Sequence, residues 1–267
     1  MTHASLIVVG TGIGLAGQIT IEALNAIKEA EIVFSLMGDP LVDAWLQTLN
    51  ANIEPLEPLY EQAGSRPRAY LAMVEKILAA LHAGKRVCAA FYGHPGIFVT
   101  PSHEAIRRAR ALGFSAIMLP GVSAEDALAA DLGVDPGAWG MQTYEARDFF
   151  INQRPVDACA ALVLWQIGVL GDGAFTEFQS RPAALKALAC VLEESYPSDH
   201  EVVVYVAATL PTNPARIERI ALHDLYRARV DQASTLYVPP LYRPQPSSAR
   251  ILLLERFLHD ELEGVTP

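Results

Sequence analysis

RVCAAFYGHPGIFVTPSHEAIRRAR, residues 86–110, begins with the apolar run of a buried strand and ends with a helical pattern. Between the two lies YGHPG, residues 92–96, where glycine removes side chains and proline fixes the backbone φ angle. Thr100 is the predicted N-cap of the helix and Pro101 its first residue. Because the loop follows a strand, its backbone can approach a ligand at the carboxyl end of a sheet. The stretch predicts one strand–loop–helix unit of an α/β fold, with a small-molecule pocket at the loop.

The first half of the chain repeats this alternation of short β-rich runs and helical patterns, which favours a parallel sheet with crossover helices. Strands are predicted near residues 5–9, 31–36, 86–92 and 115–119. Helices are predicted near residues 17–29, 40–48, 68–82, 101–111 and 123–131. We expect this sheet to be buried on both faces.

The pattern changes after DLGVDPGAWG. Strands are predicted near residues 160–166, 201–208 and 234–238, with only one clear helix, near 182–195. Sparse helices favour a second α/β domain with more antiparallel pairing, that is, a mixed sheet. The predicted division is an N-terminal domain 1–122, a C-terminal domain 123–240 and a tail 241–267. The tail contains ARILLLERFLHDEL, a predicted amphipathic helix that could pack on this body or on a second subunit.

Composition excludes several classes of protein. Thirty acidic residues against twenty basic ones give a net charge of −10 and a pI near 5.1, which disfavours binding to nucleic acid. Cys88, Cys159 and Cys190 lie far apart, a pattern that indicates small buried thiols in a reducing compartment, so we expect a cytoplasmic protein. No apolar run approaches the roughly 20 residues of a membrane helix, so no membrane partner is expected.

Glycines also follow the first predicted strand, in VVGTGIG, residues 8–14. The dinucleotide fingerprint G-x-G-x-x-G would need its third glycine at position 15, which is Leu15. Asp39 is a candidate ribose-binding acid, but the incomplete fingerprint favours a tight glycine turn over a nicotinamide site. For His94 the favoured interpretation is a turn residue whose ring is satisfied locally. The histidines show no ligand spacing with cysteine or carboxylates, so we expect no metal.

LYEQAGSRPRAYLAM, residues 59–73, contains the predicted start of a helix, with Ser65 as N-cap. Apolar residues continue the helical spacing, namely Tyr70, Leu71, Val74, Ile77, Leu78 and Leu81. Arg66 and Tyr70 are four residues apart and share one face, with Tyr60 in the preceding loop. A guanidinium and two phenols could therefore converge on one ligand, although the spacing alone favours a surface arginine beside two half-buried tyrosines.

Six blocks, in order, resemble the borosin peptide α-N-methyltransferases: SLIVVGTGIGLAGQIT, LYEQAGSRPRAY, FYGHPGIFVTPSHEAI, LPGVSAEDALAADLGVDPG, QTYEARDF and STLYVPP. That family belongs to the tetrapyrrole (corrin/porphyrin) methylase superfamily, so the resemblance implies its two-domain α/β fold and S-adenosylmethionine as cofactor. It also implies which residues contact the methyl donor or line its cleft between the domains. These are Tyr92, His94, Ile97, Phe98, Ser123, Ala124, Gln166, Tyr205, Ser234 and Thr235.

The same resemblance implies that Tyr60, Arg66 and Tyr70 are catalytic and that the enzyme N-methylates backbone amides of a ribosomal precursor peptide. Since no apolar core peptide follows ELEGVTP, we expect the precursor, with its leader and apolar core, to be a separate protein. The resemblance further implies a homodimer, or a heterotetramer with the precursor. Two alternatives stay open, a tetrapyrrole methyltransferase and a non-catalytic binding scaffold.

Overall fold

The computed structural model describes residues 4–171 and 181–263. Its first sheet has five parallel strands in the spatial order β3-β2-β4-β1-β5. They are β1 (Ser5–Gly10), β2 (Ile32–Leu36), β3 (Ile53–Pro55), β4 (Arg86–Phe91) and β5 (Ser115–Met118). Residues 87–91 of the central strand β4 are all buried, as expected where helices cover both faces of a parallel sheet. The predicted parallel first sheet is confirmed.

Helices pack on both faces of this sheet. They are α1 (Ile21–Glu29), α2 (Pro40–Leu49), α3 (Pro58–Ala63), α4 (Arg66–His82) and α5 (Thr100–Ala111). One apolar core joins the sheet to α4 and α5, and the other joins it to α1 and α2. Along α4, Met73, Ile77 and Leu81 are fully buried, whereas Leu71 is 54% exposed, so its assignment to the apolar face was wrong.

The second sheet is mixed, as predicted, with the order β6-β7-β10-β8-β9. Its strands are β6 (Met141–Glu145), β7 (Ala161–Trp165), β8 (Glu201–Val206), β9 (Arg216–Ala221) and β10 (Thr235–Val238). Only β6 and β7 pair in parallel. The remaining helices are α6 (Ala124–Leu132), α7 (Pro136–Trp139), α8 (Ala146–Ile151), α9 (Pro182–Leu192) and α10 (Ser248–Glu263). Helix α9 contributes to the core on one face, and α6 contributes Leu128 to the core on the other.

Several boundaries differ from the prediction. Thr100 is the first residue of α5 rather than its N-cap, which is Val99. Helix α1 begins at Ile21, because the Thr20 side chain accepts a hydrogen bond from the Ala23 N–H and caps it there. Ser65 occupies the N-cap position of α4, as predicted, but its side chain makes no capping hydrogen bond. The sequence pattern missed β3, β6 and β9, which are short or lie at sheet edges.

The tail forms the predicted helix α10, whereas the prediction for the thiols needs correction. Up to residue 259 the apolar side chains of α10, among them Leu254, Phe257 and Leu258, are exposed and not packed on this body, and packing on a second subunit stays a prediction. Cys88 is buried as predicted, whereas Cys159 is half-buried and Cys190 is exposed. Within the described ranges, no helix is both long and apolar enough to cross a membrane. The domain limits 1–122, 123–240 and 241–267 stay a prediction.

Candidate functional site

The glycine loops after β1 and β4 lie directly against each other. The Gly12 N–H donates to the Gly93 carbonyl at 3.3 Å, and the Gly93 N–H donates to the Gly12 carbonyl at 3.0 Å. A Cβ atom on Gly10 would lie 2.1 Å from the Gly93 carbonyl oxygen, so a side chain is sterically impossible there. The glycines after the first strand therefore serve a tight junction between two loops, in agreement with the turn interpretation.

In the YGHPG loop, His94 is used locally. Its ring Nδ1 accepts a hydrogen bond from the Gly96 N–H at 3.0 Å, which supports the prediction of a turn residue with a satisfied ring. The same loop leaves three apolar side chains open to solvent: Tyr92 is 38% exposed, Ile97 40% and Phe98 48%. Open apolar side chains at the carboxyl end of a parallel strand are typical of a ligand site.

Ser123 and Ala124 stand at the beginning of α6. Ser123 caps this helix: the Asp126 N–H donates to its Oγ at 3.2 Å, while its own N–H donates to the Asp126 carboxylate at 2.7 Å. Gly121, just before the cap, lies so close to the glycine junction that a Cβ would be 3.2 Å from the Gly93 oxygen. The predicted residues of this segment therefore adjoin the YGHPG loop, with the Ser123 hydroxyl committed to capping.

The predicted cleft residues of the second sheet lie at the same end of its three inner strands, β7, β10 and β8. Gln166 follows β7 in a left-handed conformation with φ 61°, and the neighbouring Ile167 N–H donates to the Ser234 carbonyl at 3.2 Å. Thr235, at the start of β10, is paired with Tyr205 near the end of β8. The Tyr205 hydroxyl donates to Asp131 at 2.7 Å, and burial together with this hydrogen bond raises the pKa of Tyr205 above its ordinary value.

Loops of the two sheets meet at this end of the inner strands. The Phe98 and Trp165 rings lie 6.0 Å apart between centroids, and the Leu15 N–H donates to the Thr209 carbonyl at 2.8 Å. The structure thus brings loops of the two sheets that contain or adjoin predicted donor-binding residues into contact.

Tyr60, Arg66 and Tyr70 also come together. Tyr60 lies in the short helix α3, and not in a loop as the sequence suggested. The Tyr60 and Tyr70 rings make an edge-to-face contact with centroids 6.1 Å apart, and the Arg66 guanidinium carbon is 5.8 Å from the Tyr70 centroid. Burial is the main cause that raises the pKa of Tyr60 to about 12, while the Arg66 charge opposes the shift. Tyr60 is therefore a neutral hydrogen-bond donor at physiological pH.

A family model, Tetrapyrrole (Corrin/Porphyrin) Methylases, matches residues 5–225. The chain belongs to the tetrapyrrole methylase family. The fold agrees: the solved uroporphyrin-III-C-methyltransferase from Thermus thermophilus is similar with a TM-score of 0.64 and 20% identity, over 89% of this chain and 92% of the other. A solved cobalt precorrin-4 methyltransferase has the same TM-score of 0.64 and 20% identity, over 89% of this chain and 95% of the other. These likenesses support the predicted two-domain fold class.

More similar tetrapyrrole methylase relatives are fungal fusion proteins. The methyltransferase/ribosomally synthesized cyclic peptide dendrothelin A precursor of Dendrothele bispora is 42% identical over 255 residues, 94% of this chain and 61% of the relative. The corresponding omphalotin A precursor of Omphalotus olearius is also 42% identical, over 90% and 58%. The chain therefore spans about three fifths of the length of these relatives.

Two acidic residues at this candidate site were not predicted from the sequence. Asp131 binds Tyr205 from 74 positions away, a pairing for which the sequence offers no signal. Glu57 precedes Tyr60 by one helical turn and binds backbone N–H groups after β2. Within residues 4–171 and 181–263, no group of three histidine, cysteine or acidic side chains could hold a metal ion. The absence of a metal cofactor stays a prediction.

Proposed function

We propose that this chain is an S-adenosylmethionine-dependent methyltransferase that iteratively N-methylates backbone amides of a ribosomal precursor peptide. The observation that carries the proposal is the mutual contact of Tyr60, Arg66 and Tyr70. Relatives at 42% identity are named methyltransferase and cyclic peptide precursor in one chain, which supports a peptide as substrate.

The cleft residues fit the methyl donor. Tyr92, Ile97 and Phe98 offer open apolar surface for an adenine ring and aromatic faces toward a cation, and S-adenosylmethionine contains both groups. When bound, the donor supplies an electrophilic methyl carbon on a sulfonium centre. His94, Ser123 and Tyr205 have side chains committed to internal hydrogen bonds, so we assign them the task of shaping the cleft. Backbone at Ala124, Gln166, Ser234 and Thr235 completes it.

An amide nitrogen needs help to react, since its lone pair is delocalised into the carbonyl group. Tyr60, a phenol that is neutral at physiological pH, donates a hydrogen bond to the peptide carbonyl oxygen. Arg66 stabilises the negative charge that develops on that oxygen as an imidate-like state forms. Tyr70 is then the phenol left to contact the amide N–H and take up its proton as the nitrogen attacks the methyl group.

A tetrapyrrole methyltransferase is the second candidate, favoured by the fold likeness to two enzymes of that kind. Those likenesses rest on 20% identity, whereas the peptide precursors match at 42%. The group of two phenols and a guanidinium suits an amide, which must lose a proton, better than an electron-rich pyrrole carbon. We therefore favour the peptide.

The test is transfer of label from methyl-labelled S-adenosylmethionine to two acceptors, a synthetic apolar precursor peptide and uroporphyrinogen III. The proposal predicts label on the peptide and none on the tetrapyrrole, with EDTA leaving the rate unchanged. Label on the tetrapyrrole alone would establish the second candidate, and absence of donor binding in calorimetry would establish a non-catalytic scaffold. Transfer to a separately added peptide also tests the expected separate precursor, and light scattering tests the homodimer or heterotetramer.

A further inference from the structure

Glu57 connects two parts of the site that are far apart in sequence. It ends the segment between β3 and α3, and its main-chain carbonyl accepts a hydrogen bond from the Tyr60 N–H at 2.9 Å. Its side-chain Oε1 accepts from the Met37 N–H at 2.6 Å and from the Gly38 N–H at 3.0 Å. One residue thus holds the start of the helix that carries Tyr60 and the turn that follows β2.

The turn after β2 is a good receptor for a carboxylate. Two successive backbone N–H groups point at the same oxygen, and Gly38 has a left-handed φ of 67°, so the turn forms a small anion-binding nest. Hydrogen bonds from N–H groups to an ionised acceptor are stronger than those to a neutral one. The second carboxylate oxygen, Oε2, is buried and has no hydrogen-bond partner among the described residues. An amide nitrogen could take its place without breaking any bond.

The same turn contacts the donor side of the cleft. The Thr11 hydroxyl, in the glycine loop after β1, donates to the Met37 sulfur at 3.6 Å. The Tyr92 N–H, at the start of the YGHPG loop, donates to the carbonyl of Leu36, the last residue of β2. The carboxylate of Glu57 therefore fixes the Tyr60 helix against the backbone that carries the donor-binding loops.

We propose that Glu57 is a positioning residue for methyl transfer, which sets the distance between the catalytic phenol of Tyr60 and the methyl donor. This inference rests on the proposed function. A small displacement of a reacting group costs a large factor in rate, so the contribution of Glu57 is expected in the chemical step and not in donor affinity.

Two substitutions separate charge from shape. Glu57→Gln keeps the oxygen toward the nest and removes the negative charge, whereas Glu57→Ala leaves the N–H groups of Met37 and Gly38 without their acceptor. In single turnovers at saturating donor and peptide, we expect Glu57→Ala to lower the rate about 30-fold and Glu57→Gln about fivefold. Donor affinity in calorimetry should change less than about threefold. Glu61→Gln, an exposed position on the same helix, is the control and should match the parent rate.

If Glu57→Ala folds and methylates at the parent rate, the inference is wrong. If Glu57→Ala does not fold, a parent-like rate of Glu57→Gln overturns the inference instead. A loss that appears only near the unfolding temperature would show a merely structural role and also overturn it. If the parent protein methylates no peptide, the proposed function fails, and amide hydrogen exchange still tests Glu57. Faster exchange at Met37, Gly38 and Tyr60 in Glu57→Gln supports the positioning role, and unchanged exchange contradicts it.

Discussion

The glycine loops proposed to bind the donor and the Tyr60, Arg66 and Tyr70 group both follow carboxyl ends of strands in the first sheet, yet they are built in different ways. The loops are held by main-chain contacts, with Gly10, Gly12 and Gly93 packed backbone against backbone. The proposed catalytic group is held by contacts between side chains, two rings and a guanidinium. Substitutions in the loops should therefore affect folding first, whereas substitutions in the group should affect the reaction rate first.

The largest effect is expected at Gly10. Gly10→Ala would place a methyl group 2.1 Å from the Gly93 carbonyl oxygen, which is main chain and cannot move aside. We expect the free energy of unfolding to fall by about 3 kcal/mol or more, measured by urea denaturation. Gly17→Ala is the control, because its Cβ would meet only the Leu15 oxygen at 3.8 Å, an ordinary contact. Equal stability of the two variants would mean that the glycine junction is looser than described.

Arg66→Ala should lower the methylation rate about 100-fold while leaving donor affinity unchanged, since the guanidinium acts on charge that develops during the reaction. Lysine should rescue poorly, because it lacks the planar fork of arginine. The control is Arg68→Ala, exposed and two positions further along the same helix. If both alanine variants methylate at the same rate, Arg66 has no special role.

Removal of the Tyr70 hydroxyl and removal of the Tyr60 hydroxyl should lower the methylation rate by different factors. Removal of the Tyr70 hydroxyl in Tyr70→Phe deletes the proposed proton acceptor, and we expect a loss of about 50-fold in the single-turnover rate. Tyr60→Phe deletes one hydrogen-bond donor to the carbonyl oxygen and should cost about tenfold. Both variants keep the edge-to-face ring contact, so stability should change little. If Tyr60→Phe lowers the rate more than Tyr70→Phe does, Tyr60 is the proton acceptor and Tyr70 the hydrogen-bond donor.

Tyr205 tests the scaffold side of the cleft. Tyr205→Phe removes the hydrogen bond to Asp131, whose carboxylate is exposed and can be hydrated instead. The free energy of unfolding should fall by about 1 kcal/mol in urea denaturation. Because the hydroxyl is committed to Asp131, donor affinity should stay within about threefold of the parent. A tenfold loss of donor affinity at unchanged stability would make Tyr205 a direct ligand of the donor.

Alkaline pH should also separate the two regions. The pKa of Tyr60 is raised from 10.0 to about 12, so the unfolded chain loses this proton at lower pH than the folded protein. The stabilising contribution is therefore complete below pH 10 and is lost as the pH rises toward 12. Urea denaturation between pH 10 and 12 measures how the free energy of unfolding falls as the pH rises. This fall should be less steep for Tyr60→Phe than for the parent, because phenylalanine has no hydroxyl proton to lose. An equally steep fall in both proteins would mean that the Tyr60 hydroxyl is in contact with solvent.

Much of this architecture could be predicted from local sequence signals. Buried parallel strands such as β4 give continuous apolar runs, and the glycines and proline of residues 92–96 mark the loop that follows. The edge strand β9, RIERIA, has no such run, and its pairing with β8 depends on tertiary contacts. Helix α3 was missed because six residues carry too little periodicity.

Local sequence signals also predict some contacts between the candidate site residues and miss others. A spacing of four positions was sufficient to place Arg66 beside Tyr70, because a helix fixes that geometry. It could not show that the Tyr60 ring packs against Tyr70, nor that Asp131 binds Tyr205 and Glu57 binds the turn at Met37, since those contacts cross between elements. The sequence therefore predicts the candidate chemical groups but not the residues that hold them in place.

The most direct test of the central claim is to locate the transferred methyl group. The purified chain, S-adenosylmethionine and a synthetic precursor peptide with an apolar Val-, Ile- and Gly-rich core are incubated, and tandem mass spectrometry assigns each added methyl to an atom of the peptide. The account predicts methyl groups on backbone nitrogens of successive core residues, accumulating with time and slowed about 100-fold by Arg66→Ala but not by Arg68→Ala. Methyl groups on side chains, or none on the peptide while donor binding is intact, would contradict it.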